Sequence, residues 1–231
     1  MKPARCVVTR APSQNVGVVS CPWLQAEDIE HESITERWFL VLAVLLPRLQ
    51  RIQHQPFRLE LPPEDAGTGD AKAATYVPDF LLEFTSGERV VVEVKPAKFV
   101  PKHRARLLAA AEVLKSRDHS FFVITDKQLE STASMAEGIE MRRRAKGPRP
   151  VEETQRALAA LVAAPGYVTV GQLCAVADVS IGAIAWLVGR AMVGTKRPSV
   201  THEQTLVIDL AKEEDCNAAL SVGRWFASKA W

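Results

Sequence analysis

The most informative part of the sequence is residues 76–95, which read YVPDFLLEF (76–84), TSGE (85–88) and RVVVEVK (89–95). The first run is apolar and aromatic, the last is rich in valine, and Thr-Ser-Gly-Glu between them is typical of a tight turn. We therefore predict a β-hairpin. Because side chains alternate along a strand, Glu93 and Lys95 should lie on one face of the second strand, and Val92 and Val94 on the other.

The charged residues of this hairpin suit a metal-dependent phosphodiesterase. Asp79 and Glu93 offer the hard oxygen ligands that one or two Mg²⁺ ions prefer, with Mn²⁺ as a substitute, and the Val94 carbonyl offers a further ligand. Such a cation polarises the scissile phosphate and lowers the pKa of a bound water. Lys95 would orient or activate that water, and an electrostatic role is favoured because an ammonium beside carboxylates stays protonated. The alternative is a structural hairpin with solvated end charges.

A fourth candidate, Glu36, lies near the start of a helix that we predict from Ser33 to Pro47. The helix is almost wholly apolar, so a carboxylate in its first turn needs a partner, which a metal ion would supply. Two alternatives remain open. Glu36 can be a capping-box residue only, and Glu32 is a competing carboxylate one turn earlier.

The remaining patterns predict an α/β domain over residues 1–145 and a smaller domain over residues 146–231. The first has a mixed sheet with flanking helices. Its further elements are a strand at 51–61, a loop at 62–70, a helix at 102–117 with Leu107, Ala111 and Leu114 as its apolar stripe, and a strand at 120–125. The second has a helix at 151–163, a helix-turn-helix pattern at 168–188 and a short strand at 206–210, as in a winged helix. The basic stretch 141–150, which ends in Gly and Pro residues, marks the boundary.

Composition and charge narrow the function classes. The chain has 231 residues and a formal net charge of +2. Its longest apolar run, residues 38–46, is too short to cross a membrane, and no secretory signal is present. The four cysteines lack zinc-ligand spacing, which favours free thiols in a cytoplasmic protein. These are Cys6, Cys21, Cys174 and Cys216.

Positive charge is concentrated immediately after the hairpin. Residues 95–149 contain thirteen Lys or Arg against six Asp or Glu. This excess is either a solvated surface or an electrostatic track for nucleic acid. The residues that we expect to contact DNA phosphates are Lys98, Lys102, His103, Arg104 and Arg106.

Four spaced motifs together resemble a known family. They are Glu32-Ser33-x-x-Glu36, Gln55-Pro56-Phe57, Tyr76-x-Pro78-Asp79-Phe80 and Glu93-Val94-Lys95-Pro96. Over residues 10–130 the sequence resembles the amino-terminal domain of TnsA-type transposon-end endonucleases, which belong to the PD-(D/E)xK restriction-enzyme-like nucleases. The resemblance implies a restriction-endonuclease-like fold, with Glu36, Asp79 and Lys95 as metal and catalytic residues. The position of Glu93 varies in that family, and an acidic ligand is usual there in the superfamily.

The resemblance also implies a function and partners. Such proteins are bacterial and cut the 5′, non-transferred strand at transposon ends. They act beside a DDE-type transposase, which cuts the other strand, and an AAA+ ATPase regulator. Two alternatives stay open: a restriction or repair nuclease that acts alone, and a non-catalytic DNA-binding or assembly module.

The carboxy-terminal region is similar to the family's winged-helix domain in broad pattern only. Its candidate recognition helix, residues 180–190, is mostly apolar, with Arg190 as its single basic residue. A helix that reads bases normally displays Arg, Lys, Asn or Gln. We therefore favour a packing or protein-contact role for this helix, and residues 195–198 as a basic wing that touches phosphates.

Overall fold

The computed structural model describes residues 15–62, 74–132, 135–195, 203–212 and 217–231. The predicted loop at 62–70 and the predicted basic wing at 195–198 lie outside these residues, except for Pro62 and Thr195. Cys6 and Cys216 also lie outside them. Cys21 and Cys174 are both free thiols, as predicted. Burial raises the pKa of the Cys21 thiol to about 12, which keeps it protonated and unreactive.

In the described part of the amino-terminal half, the chain forms eight strands and two helices. In chain order they are β1 (Gly17–Val19), β2 (Ile29–His31), α1 (Ile34–Ala43), β3 (Leu49–His54), β4 (Leu59–Leu61), β5 (Ala74–Tyr76), β6 (Phe80–Phe84), β7 (Arg89–Val94), α2 (Val100–Lys115) and β8 (Ser120–Ile124). A single 3₁₀ turn (Ala97–Phe99) precedes α2.

The described remainder is mostly helical. Its elements are α3 (Asp126–Thr132), α4 (Met135–Lys146), α5 (Val151–Ala163), β9 (Val168–Thr169), α6 (Val170–Ala177), α7 (Ile181–Gly189), β10 (Gly194–Thr195), β11 (Leu206–Ile208), a 3₁₀ turn (Leu210–Lys212) and α8 (Ala218–Trp225).

The central sheet has four strands in the order β3-β6-β7-β8. β3 pairs with β6 and β6 with β7 in antiparallel fashion, whereas β7 and β8 are parallel. The predicted mixed α/β architecture is therefore confirmed. Because β7 is an inner strand between β6 and β8, any polar side chain that it carries is surrounded by backbone and neighbouring side chains.

The predicted hairpin is formed by β6 and β7. The turn closes through a hydrogen bond from Phe84 N to Glu88 O (3.1 Å), and Gly87 takes a positive φ of 85°. An L residue with a side chain rarely adopts such a φ, which explains a glycine at this position. The predicted first strand, residues 76–84, is in fact two strands: β5 ends at Tyr76, and Pro78-Asp79 separates it from β6.

The prediction of one strand over residues 51–61 was wrong. β3 ends at His54, Gln55 has a φ of 44°, and β4 pairs with β5 in a separate two-stranded sheet. An alternating pattern indicates strand conformation but carries no signal for a left-handed residue that redirects the chain. Pro56, which follows Gln55, marks the break in hindsight.

Helix α1 packs against one face of the central sheet and begins at its predicted cap. The Ser33 side chain accepts a hydrogen bond from Glu36 N, as an N-cap serine should. The helix ends at Ala43, earlier than the predicted stop at Pro47, and the residues between form a buried turn. A proline at position 47 prevents the helix from continuing past it, but it does not require the helix to reach that position.

The sheet is covered on both faces, which makes three layers. Val90 and Val92 of β7 point towards α1, where Phe39 and Leu42 are fully buried. On the opposite face, Val91 packs with the stripe of α2, which is Leu107, Ala110, Ala111 and Leu114. The predicted stripe of α2 is thus confirmed, with Ala110 added.

The carboxy-terminal elements follow the predicted order. α5 has the predicted bounds, α6 and α7 meet at 118°, and β9, β10 and β11 form a small antiparallel sheet. Seven consecutive residues of α7, Ala183 to Gly189, are buried, which confirms the packing role that its apolar sequence predicts. Gly189 approaches α4 so closely that a Cβ there would lie 2.5 Å from Met141 O.

Within the described ranges, no single helix is long and apolar enough to cross a membrane. Only the bent pair α6 and α7, taken together, reaches that length and apolarity.

The chain returns to the first domain at its end. Trp225 of α8 donates from Nε1 to Leu42 O (3.1 Å), and the Phe226 ring lies 5.1 Å from the Phe39 ring. Trp231 N then donates to Phe121 O (2.9 Å), beside an isolated bridge between Ala230 and Phe122 on β8. The division at residue 145 stays a prediction, and these contacts show that packing crosses it.

The return of the chain predicts that α8 contributes to the stability of the first domain. Phe226 is fully buried, so Phe226→Ala should lower the free energy of unfolding by about 3–5 kcal/mol through the lost contacts and the cavity left behind. Urea unfolding followed by fluorescence and circular dichroism measures the change. Leu220→Ala, on the exposed side of α8, is the matched control and should cost little. An unchanged unfolding curve for Phe226→Ala would show that α8 is not part of this core.

Candidate active site

Asp79 lies at the junction that separates β5 from β6. Its Oδ2 accepts a hydrogen bond from Val94 N (2.7 Å), and its backbone carbonyl accepts one from Gln55 N (2.7 Å). The side chain is therefore tied to the end of β7, and the backbone is tied to the chain that leaves β3. Val94 takes part in the site through this N–H, and the ligand role of its carbonyl stays a prediction.

Glu93 and Lys95 are brought together on one face, as predicted from strand alternation. Lys95 Nζ lies 2.8 Å from Glu93 Oε1, and the other carboxylate oxygen accepts a hydrogen bond from the Tyr76 hydroxyl (2.6 Å). Glu93 is 5% exposed, whereas the Lys95 side chain keeps 22% of its surface exposed. The ammonium can therefore meet a substrate from solvent while the carboxylate is held beneath it.

Glu36 has the capping role that the sequence offered as one alternative, and its role as a metal ligand stays a prediction. Its Oε1 accepts from the Ser33 hydroxyl (2.8 Å) and its Oε2 from Glu32 N (2.7 Å), so it does participate in helix capping. It is also buried and lies within electrostatic reach of Asp79 and Glu93. Glu32 belongs to the same surroundings, since its Oε1 accepts from the Gln55 side chain (3.0 Å).

Burial and neighbouring negative charge raise the pKa of two of these carboxylates, Asp79 and Glu36. Burial, and then the negative charges of Glu93 and Glu36, raise the pKa of Asp79 well above its ordinary value of 3.8. Burial raises the pKa of Glu36 as well, with contributions from Glu32 and Glu93. Such like-charge clusters in a partly desolvated place are characteristic of functional sites, because folding stability alone does not favour them.

The described side chains are engaged with the protein rather than gathered around a common point. Among the residues that the structure describes, no group of three or more His, Cys, Asp or Glu is placed to hold one metal ion. Each of the three carboxylates instead accepts at least one hydrogen bond from a neighbouring donor.

The five predicted DNA-contacting residues all lie on the 3₁₀ turn and the first half of α2, directly after the site. Lys98 and Lys102 are exposed, and His103 is half-buried. Arg104 stacks over the Trp231 ring (5.9 Å). Arg106 donates to Thr75 O (2.6 Å) and lies over the Tyr76 ring (5.5 Å), so it supports the strand that carries Tyr76.

Three neighbours of the site were not identified as functional residues from the sequence. Tyr76 holds Glu93, Gln55 joins Asp79 to Glu32, and buried His54 lies about as far from Glu30 (3.9 Å) as from Glu36 (4.0 Å). Tyr76 and Gln55 occur in the motifs that carry the family resemblance, which was the available signal. Their hydrogen-bond partners lie close only after β3, β5 and β7 are brought together in the fold, and the order of residues along the chain does not reveal that proximity.

Part of the chain matches a known protein family. Residues 47–126 match the TnsA-like endonuclease N-terminal domain. The match confirms the resemblance over roughly a third of the chain, and it includes Asp79, Glu93 and Lys95. Glu36 lies before the matched segment, within the wider range of 10–130 over which the motifs were compared. No curated protein matches the chain.

The matched segment is similar to an endonuclease domain of a family associated with transposition. A TnsA-like domain implies a role in a transposition complex with DNA, and the match supports that broad function. The catalytic and metal-binding roles of the individual residues stay predictions. Glu93 and Lys95 lie at the end of β7, where their side chains form an ion pair, and Asp79, just before β6, accepts a hydrogen bond from Val94 N.

The raised pKa of Asp79 predicts how stability depends on pH. The folded protein keeps the Asp79 proton to a higher pH than the unfolded chain does. The resulting stabilisation is therefore fully present below 3.8 and is lost as the pH rises through the folded-state pKa. Asp79→Asn removes the buried charge and keeps an acceptor for Val94 N. At pH 8, without divalent metal, we expect its melting temperature to rise by about 2–4 °C for each kcal/mol gained.

Thermal unfolding of wild type and Asp79→Asn between pH 5 and pH 9 tests this expectation. The wild-type melting temperature should decline with pH more steeply than that of the variant. Asp126→Asn is the matched control, because that carboxylate also accepts a backbone N–H, from Ala97 (2.8 Å). Equal slopes for wild type and Asp79→Asn would contradict a buried, repelled carboxylate at position 79.

Proposed function

We propose that this protein is a metal-dependent DNA endonuclease subunit of a heteromeric transposase, and that it cleaves the 5′, non-transferred strand at transposon ends. The observation that supports this most is that Asp79, Glu93 and Lys95, all within the TnsA-like segment, are held near one another at the end of β7. Asp79 is tied to Val94 N, and Glu93 to Lys95, across two paired strands. The proposed partners are a DDE-type transposase, an AAA+ ATPase regulator and the DNA of the transposon ends.

By the chemistry of its oxygens the proposed donor set suits a hard divalent cation, with Mg²⁺ first and Mn²⁺ as a substitute, although the described carboxylates are not gathered around one point. Glu36, Asp79 and Glu93 supply carboxylate oxygens, which these ions prefer, and their mutual repulsion is what a cation would relieve. When bound, one or two such ions would polarise the scissile phosphate and lower the pKa of the attacking water.

The protein's own groups prepare the site for that chemistry. Val94 N–H fixes the Asp79 carboxylate, and the Tyr76 hydroxyl fixes that of Glu93. Burial and the Glu93 charge raise the pKa of Tyr76, so this hydroxyl keeps its proton and continues to donate. Lys95, partly exposed beside Glu93, is positioned to neutralise charge that develops on a phosphate.

Substitution of the site residues tests the proposed chemistry. Asp79→Ala or Lys95→Ala should reduce metal-dependent cleavage of transposon-end DNA by at least about 100-fold, because each removes a group that acts on the developing charge. Circular dichroism should show unchanged folding. Glu83→Gln is the matched control, since Glu83 lies on β6, which begins directly after Asp79, but pairs with Arg89 (3.3 Å).

The cleavage assay is run in Mg²⁺ and in Mn²⁺, with and without the co-purified transposase. Cleavage that needs the transposase supports a heteromeric enzyme, whereas full activity of the chain alone indicates a restriction or repair nuclease. An Asp79→Ala, Lys95→Ala double variant that nicks DNA at the wild-type rate would contradict the active-site assignment.

We further propose that DNA lies along the start of α2. The candidate contacts follow closely after Lys95, on the 3₁₀ turn and the first half of α2. A DNA backbone bound along them would therefore run towards the site. They are Lys98, Lys102, His103, Arg104 and Arg106. Arg104 and Arg106 lie over aromatic rings in the structure. The N–H groups at the edges of a stacked guanidinium plane can still donate to a phosphate.

Salt dependence tests this DNA path. Each phosphate contact that is removed should reduce the slope of log K against log salt by about 0.9. Lys98→Ala, Lys102→Ala should therefore weaken binding to any DNA duplex and reduce the slope by up to about 2. Lys115→Ala, in the exposed last turn of the same helix, is the control and should change neither quantity. An unchanged slope for the double variant would place the DNA elsewhere.

For the carboxy-terminal region we propose a winged-helix-like unit that serves packing and assembly. The small sheet β10-β11-β9 beside α6 and α7 supports the winged-helix comparison. The buried α7 and the fixed Arg190, which donates to Ala145 O (2.6 Å), support assembly over base reading. Selection of the DNA end would then come from the transposase partner.

A further inference from the structure

Gln55 combines several features that are individually unfavourable for folding. It is 7% exposed, it has a φ of 44°, and its side-chain Oε1 is buried without a hydrogen-bond partner among the described residues. Neither β3 nor β4 contains it. Since most buried polar atoms are hydrogen-bonded, the combination calls for a physical reason.

The backbone conformation is costly in two ways. A left-handed conformation at a residue other than glycine is strained and persists where the surroundings impose it. Pro56 follows, and a residue before proline is normally restricted to extended conformations. The compensation visible in the structure is the hydrogen bond from Gln55 N to Asp79 O (2.7 Å), which the turn makes possible.

The side chain extends this connection to the second part of the site. Gln55 Nε2 donates to Glu32 Oε1 (3.0 Å), and Glu32 N donates to Glu36 Oε2 (2.7 Å). The orientation of the amide follows from charge, because the opposite orientation would place Oε1 against a carboxylate. Gln55 thus connects the residue that begins β6 with the segment that begins α1.

The remaining atom, Oε1, is an acceptor with no donor in the described protein. A buried carbonyl without a partner destabilises the folded state, because it loses its hydrogen bonds to water and gains none in return. The side chain faces a group of carboxylates, which are acceptors when ionised and cannot satisfy it. The donor that suits this position is an O–H group from outside the chain, and a water molecule is the smallest one available to the site.

We propose that Gln55 is a positioning residue of the cleavage site: its backbone N–H and side-chain amide fix Asp79 and Glu32–Glu36 relative to one another, and its free carbonyl holds a water O–H beside them. This inference rests on the proposed nuclease function and extends it to a residue outside the Asp-Glu-Lys set. The strain at Gln55 is then the cost of a turn that serves two carboxylates at once.

Two substitutions separate the side chain from the backbone. Gln55→Ala removes the amide and keeps the strained conformation, whereas Gln55→Gly removes the amide and accepts a φ of 44° without strain. Gln53→Ala is the matched control. Gln53 lies on β3, two residues before Gln55, and its amide donates to Glu83 (3.0 Å) and not to the carboxylates of the site.

Two measurements are made on the full chain. The first is cleavage in Mg²⁺, separated into kcat and KM for DNA. The second is the rise in melting temperature as Mn²⁺ is added without DNA, which needs no catalysis. Both Gln55 variants should lose about 10- to 100-fold in kcat with little change in KM, and should need about 10-fold more Mn²⁺ for half of the thermal stabilisation. Gln53→Ala should match the wild type in both.

Each outcome has a defined meaning. Gln55→Gly that matches the wild type in kcat and in Mn²⁺ titration overturns the inference, because the side chain would then have no role. A defect confined to KM for DNA also overturns it, since it would indicate a substrate contact instead of positioning. If the wild type neither cleaves nor is stabilised by Mn²⁺, the nuclease proposal itself fails, and this inference fails with it.

Discussion

The fold has to accommodate three acidic side chains, Glu36, Asp79 and Glu93, whose negative charges repel one another. These carboxylates come from a helix, a strand junction and an inner strand, and burial weakens the screening that water would provide. Each is therefore matched with a donor at its own position: the Ser33 hydroxyl for Glu36, Val94 N–H for Asp79, and the Tyr76 hydroxyl with Lys95 for Glu93. The mixed sheet is the means by which these donors and acceptors reach one another.

The parts of this arrangement that depend on local pattern could be predicted. The β6–β7 hairpin, the shared face of Glu93 and Lys95, the stripe of α2 and the bounds of α5 follow from alternation, turn residues and helical spacing. The parts that depend on a single backbone angle or a distant crossing could not. The strand at 51–61 is broken at Gln55 because the chain turns there to meet Asp79, and an alternating sequence contains no sign of that turn.

The same distinction applies to the candidate site. Asp79, Glu93 and Lys95 could be identified because their residue types and spacing match a chemistry. From the sequence, Tyr76 could be recognised only as a motif residue. Its hydroxyl lies 2.6 Å from Glu93 Oε2 because the end of β5 lies near β7 in the fold, and the sequence does not reveal that proximity. The contribution of α8 had no signal at all in the sequence, because the contact between Phe226 and Phe39 joins residues nearly two hundred positions apart.

The location of the buried surface bears on how cutting and recognition are divided. In α7, the residues that would face a DNA groove are instead packed against α4 and α5, and Arg190 is held by Ala145 O and by the rings of Trp23 and Trp186. In the 3₁₀ turn and the start of α2, by contrast, Lys98 and Lys102 are exposed, and both follow closely after Lys95 in the chain. Phosphate contacts position a duplex but do not read its sequence. Under the proposed function, a chain with this distribution would bring a phosphodiester bond to Asp79 and Lys95, and the proposed transposase partner would select which bond is cut.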